Sequence, residues 1–112
     1  MKKLVRDKIP EIVGDKQQVE IERVTGNVHK SYLRSKIIEE ERELWAASVD
    51  HVQYSSDRDR DRVKEEAADL ITAILALCNA HGLCWKEVEA EIVRKGKEKG
   101  GFGGGFVMEF AE

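Results

Sequence analysis

The residues of this chain best suited to chemistry are carboxylates set at helical spacing. In "KIIEEERELW", residues 36–45, Glu40 and Glu43 stand three apart, and in "EEAADLITAIL", residues 65–75, Glu66 and Asp69 repeat that interval. Residues three apart on an α-helix are neighbours on its surface, so each pair presents two carboxylates side by side. At about 100° per residue, Leu33, Ile37, Leu44 and Ala47 fall beside Glu40, and Val63, Leu70, Ala73, Ile74 and Leu77 flank Glu66. Each pair therefore borders an inward-looking apolar arc, whereas Glu39 and Glu65 lie further toward the outside. Helices joined by a short connection pack antiparallel, and the two pairs can then converge on one point.

Four carboxylates that meet without basic neighbours repel one another and raise their own pKa values. A divalent cation relieves this, and an all-oxygen ligand set suits a hard ion, Mg²⁺ or Mn²⁺. A di-iron bundle site would want Glu-x-x-His on two of its helices. Here the third residue on is Glu43 or Asp69, never His. The competing reading is that both pairs are solvated helix faces, as a single E-x-x-E usually is; spacing alone leaves the two open. His29, His51 and His81 share no spacing with each other or with a cysteine, so ordinary surface or cap positions are expected.

The elements that would carry these residues are mostly helices. A short turn of helix after Pro10, the only proline, is expected to end at Gly14. The alternation Val19, Glu20, Ile21, Glu22, with Val24 nearby, reads as a short half-buried strand before the turn Gly26-Asn27. Helices are expected over about 28–49, 61–80 (ending at His81-Gly82) and 85–99, with the polar, charge-alternating "YSSDRDRDR" as a connection whose residues can cap the second. Trp85, Val88 and Ile92 mark one side of the last helix. The glycine-rich end "GGFGGGFVMEF" reads as a loop with a second short strand able to pair with Val19–Val24. The expected fold is a mainly α helical bundle with two short peripheral strands, in one domain over residues 1–112.

Composition narrows the partners. With 112 residues, 41% apolar and 37% charged, the core is modest and of a size that a partner subunit often completes. A net charge of −3 gives no support to a nucleic-acid or anionic-membrane partner. The start "MKKLVRDKIP" lacks the apolar region of a signal peptide, and "LITAILALC" is too short to span a bilayer. Two cysteines, Cys78 and Cys84, argue against a disulfide scaffold and fit a reducing cytoplasm, Cys78 as a small buried hydrophobe.

The paired motif resembles the E-x-x-E … E-x-x-D signature of the MazG-like all-α nucleoside triphosphate pyrophosphohydrolases. "KLVRDKIPEIV" is similar to the N-terminus of a small single-domain branch of that superfamily, and "KGKEKGGFGGGFVME" to its basic Gly-Gly-Phe ending. The run Gly103–Gly105 departs from that ending. The resemblance implies hydrolysis of a nucleoside triphosphate, NTP or dNTP, to the monophosphate and pyrophosphate, in the service of removing non-standard or surplus nucleotides. It implies Mg²⁺, with Mn²⁺ as a substitute, on Glu40, Glu43, Glu66 and Asp69, and a homodimer or a tetramer built from paired dimers.

Cleaving a phosphoanhydride requires neutralised phosphate oxygens and a water placed in line. Glu39 or Glu40 could take the proton from that water as general base. Lys36, one turn before Glu40, is a candidate for the remaining phosphate charge. So are Lys95 and Lys99, spaced i, i+4 near the end of the last helix, where the resemblance puts basic residues. For each lysine the alternative is a solvated surface charge. Trp45 falls with Ile38 and Val49 on a second apolar side of its helix, which points to a subunit interface more than to base stacking. Trp85 is expected to anchor its helix to the core. Two other functions remain beside the first: a pyrophosphohydrolase acting on phosphoribosyl-ATP, and a non-catalytic helical binding or assembly module whose carboxylates are merely surface.

Overall fold

The computed structural model describes residues 1–14 and 19–111. Four helices follow in order: α1 (Ile9–Val13), α2 (Gly26–Tyr54), α3 (Asp57–Ala80) and α4 (Trp85–Lys99). The main feature is the α2/α3 hairpin. Its two helices pack against each other along their length, α4 touches α3 only, and α1 packs on neither long helix closely. Pairing is antiparallel: Arg62 of α3 reaches Asp50 of α2 at 2.8 Å, and further along α3 Glu66 and Asp69 meet Glu40, earlier in α2.

The hairpin is held by a narrow seam. The buried residues of α2 are Leu33 (2% exposed), Glu40 (8%) and Ala47 (0%), and that of α3 is Ala73. Leu33, Glu40 and Ala47 are seven apart, as are Glu66 and Ala73, the interval that keeps a stripe facing its partner along a helix pair. Small residues at Ala47 and Ala73 let the helices approach closely. Glu40 is therefore more deeply placed than the border position read from spacing: it is a carboxylate in the seam itself.

Both long helices outrun their expected limits, because "YSSDRDRDR" is largely helical. Only Ser55 and Ser56 connect α2 to α3. Ser55 takes a left-handed conformation (φ 53°) and its N–H donates to the His51 carbonyl at 2.8 Å. Ser56 caps α3 by accepting from the Asp59 N–H at 3.1 Å, and Asp57 and Asp59 in the first turn suit the positive end of the helix. The capping residue expected in this connection is Ser56, and the helix starts at Asp57, four residues before the expected limit. The limits of α1 and α4 are as expected, and α3 stops before Gly82, whose φ of 79° favours a residue without Cβ.

Neither expected strand is present among the described residues. Residues 19–25 and 106–111 are irregular, with Val19, Ile21, Phe106 and Val107 all exposed. Alternation without a neighbouring backbone to complete a ladder leaves an extended segment and not a strand. Trp85 is 46% exposed and does not anchor α4 in a core: the chain bends by 110° between α3 and α4, and within α4 only Val88 is even partly covered. Cys78 is half-buried on α3.

The chain exposes 10151 Å², against roughly 6,200 Å² expected for a compact monomer of this mass. Its radius of gyration is 17.8 Å, where a compact domain of this length would have about 13 Å. Among the described residues the hairpin seam is the main packed region, so its largest side chain should dominate stability. Leu33→Ala is expected to cost about 2–5 kcal/mol in urea unfolding followed by circular dichroism, the range for a buried leucine.

Candidate functional site

The seam gathers acidic groups from both helices. One carboxylate oxygen from each of Glu40, Glu66 and Asp69 lies within 4.8 Å of the others. Glu40 is buried, and Glu66 and Asp69 are part-exposed, so the group opens to solvent on the α3 side. Glu43, the fourth acidic position read from the sequence, is exposed and outside this trio, yet near enough to act on Glu66.

The electrostatics are uneven. Burial, reinforced by repulsion from Asp69, Glu40 and Glu43, pushes the Glu66 carboxyl above the usual carboxylate range, against a smaller opposing pull from Arg62. The other members have cationic partners. Lys36 Nζ lies 3.2 Å from Glu40 and 3.1 Å from Glu39, and burial, which would lower its pKa, is outweighed by these bonds, so the ammonium is held on. Lys3 donates to Glu39 at 3.2 Å, and Arg6 forms an ion pair with Asp69. Burial pushes Glu39 up, but its hydrogen bonds from Lys36 and Lys3 prevail and keep it below the usual range.

Helical spacing had placed only Lys36 beside Glu40; two further basic neighbours, Lys3 and Arg6, come from outside the long helices. They lie in an irregular segment without periodicity, so no pattern places them; the only signal was their position in the "KLVRDKIPEIV" block. Lys95 and Lys99 are not joined to the cluster within the chain. They stand exposed on α4, which does not approach α2.

As a donor set the trio fits a hard divalent cation: three oxygens on two rigid helices, no nitrogen or sulfur donor, and a mutual repulsion that a cation would relieve. Ligands held by helices keep their geometry better than ligands on loops.

The sequence profile of the phosphoribosyl-ATP pyrophosphohydrolase family matches residues 7–96. The chain belongs to that family. Phosphoribosyl-ATP pyrophosphohydrolases are part of the MazG-like all-α NTP pyrophosphatase superfamily, which agrees with the helical hairpin and the paired acidic motif. Members are hydrolases of phosphoanhydride bonds, typically dependent on a divalent metal, and the matched span contains the whole hairpin with its acidic cluster. No curated protein sequence and no solved structure gives a significant match.

The raised Glu66 pKa has a definite sign. Between the ordinary value of 4.5 and the raised folded value, the folded chain holds the proton that the unfolded chain has released, so stability falls as pH rises through that window. Above the raised value the ionised carboxylate carries the full cost. In metal-free buffer with a chelator, Glu66→Gln should therefore melt at a higher temperature than the unmodified chain at pH 7. That gain should shrink as the pH falls below 4.5.

Proposed function

We propose that the chain is a Mg²⁺-dependent pyrophosphohydrolase that cleaves a nucleoside triphosphate, NTP or dNTP, to the monophosphate and pyrophosphate. The observation that carries this reading is the convergence of Glu40, Glu66 and Asp69 in the seam of the hairpin. These three, with Glu43 at the exposed edge, would hold the ion. Mg²⁺, or Mn²⁺ in its place, would neutralise phosphate oxygens and lower the pKa of a water beside them.

The chain's own groups do the rest. The two-helix frame fixes the carboxylates relative to each other, so a bound phosphate chain meets a preset arrangement. Glu39 or Glu40 accepts the proton of the attacking water. Its two lysines hold Glu39 below the usual carboxylate range, which weakens it as a base. Lys36, reaching both glutamates, is positioned to take phosphate charge as it gathers on that side. Lys95 and Lys99 would join it only if a second subunit brought α4 across a site. A role as a non-catalytic assembly module is disfavoured by the family's chemistry and by the cost of keeping a carboxylate in the seam.

A second reading of the substrate is phosphoribosyl-ATP, which carries the same triphosphate and would release the same pyrophosphate; the family match favours it. Pyrophosphate release from a panel of NTPs, dNTPs and phosphoribosyl-ATP separates the two. Whatever the substrate, chelation should abolish turnover and Mg²⁺ restore it. Glu40→Gln and Asp69→Asn should each lower kcat/KM by about two orders of magnitude or more, the scale of one positioned electrostatic group. Intact activity in both variants would remove Glu40 and Asp69 from the metal site.

The same reading makes the active form a homodimer or a dimer of dimers, in the cytoplasm. Ile38, Trp45, Val49 and Val52 form an exposed apolar stripe on α2, with Trp45 71% exposed, and the excess surface of the single chain is what a partner would cover. A net charge of −3 gives no support to a nucleic-acid partner, and no single described helix is long and apolar enough to cross a membrane. Light scattering after gel filtration should give the mass of two or four chains, and Trp45→Lys should shift it toward one.

A further inference from the structure

The cations on the acidic cluster come from two places with different mechanical freedom. Lys36 is on α2, part-buried, and can move only by changing rotamer. Lys3 and Arg6 belong to the irregular segment before α1, their side chains about half exposed. That segment is tied down at few points. Leu4 is partly covered, Lys2 pairs with Glu22 at 3.0 Å, and the Arg6 carbonyl accepts from the Ile9 N–H at 3.0 Å at the start of α1. Arg6 thus sits at a turn leading into α1 and reaches 63 residues along the chain to Asp69.

Asp69 cannot serve both partners fully. Its carboxylate belongs to the trio that fits a divalent cation and also carries the Arg6 guanidinium. An ion in the trio would place two positive charges beside a third. The guanidinium would then be repelled and its carboxylate partner weakened. A triphosphate brings more negative charge than one divalent ion cancels, and its oxygens match the guanidinium fork as well as a carboxylate does. Exposed ion pairs contribute little net stability, so the exchange of partners is easy.

We propose that the N-terminal segment is a phosphate-binding strap. In it Arg6, assisted by Lys3, neutralises Asp69 and Glu39 in the empty site and passes to the phosphate oxygens of a nucleoside triphosphate when metal and nucleotide enter. The inference rests on the pyrophosphohydrolase reading, and it adds two residues from outside the helices to the substrate site. Its signature is a pair of opposite effects. Removing Arg6 frees a metal ligand and deprives the nucleotide of one.

The test uses the full chain with Arg6→Gln, Lys3→Gln and Arg6→Lys. Mn²⁺ binding without nucleotide, followed by electron paramagnetic resonance, should tighten in Arg6→Gln by about two- to five-fold, the worth of one exposed ion pair. KM for the nucleotide should rise about ten- to hundred-fold, the loss of one charge-assisted hydrogen bond. Lys3→Gln should move both in the same directions by less, and Arg6→Lys should recover part of the KM. A merely structural segment would weaken both bindings together, with a lower melting temperature, and that result overturns the strap. So does an unchanged KM in Arg6→Gln and Lys3→Gln when the unmodified chain hydrolyses nucleotide normally. If the unmodified chain neither binds Mn²⁺ nor releases pyrophosphate from any substrate, the pyrophosphohydrolase reading fails first and the strap falls with it.

Discussion

The organising constraint is like-charge repulsion inside a helix seam. Glu40 occupies a position that, by its seven-residue spacing from Leu33 and Ala47, would suit an apolar residue in an ordinary hairpin. Opposite it stand Glu66 and Asp69. Burying a carboxylate is costly unless it is paired, and gathering several makes each harder to ionise. The arrangement persists only with positive charge on hand. Lys36, Lys3 and Arg6 supply it from within the chain, and burial, with the remaining repulsion, still raises the Glu66 pKa.

The rest of the architecture follows from keeping that seam open. Small residues at Ala47 and Ala73 bring the helices close on the turn-proximal and turn-distal sides of the acidic cluster, and the two-serine connection locks their register. A thicker seam of large side chains would stabilise the hairpin more, but would fill the space beside the carboxylates. The thin core exposes apolar stripes elsewhere, on α2 around Trp45 and along α4, surface that a partner chain would cover. One helix carries both faces: α2 turns its seam toward the acidic cluster and its Trp45 stripe outward.

This arrangement also separates rigid from adjustable parts of the site. Carboxylates on packed helices hold geometry, and the cations beside them sit on a long side chain or an irregular segment, which are freer to move. For phosphoryl chemistry, in which positioning and charge neutralisation supply most of the catalysis, that division of labour is physically sensible.

Much of this was legible in the residues alone. The 3.6-residue periodicity located the long helices, and the three-residue spacing singled out Glu40, Glu43, Glu66 and Asp69, because helix geometry is local and repeats along the chain. The same local rules overreached where partners were needed. Val19–Val24 alternates like a strand but pairs with none of the described residues, and "DRDRDR", which reads as a loop running into a helix start, is helical throughout and capped by Ser56. Only the tertiary structure decided that Glu40 lies within the seam and Glu43 outside the trio, since that depends on the rotation of α2 against α3. It alone brought Lys3 to Glu39 and Arg6 to Asp69, across separations that no periodicity spans, because long-range ion pairs are set by where the chain is folded back and not by local pattern.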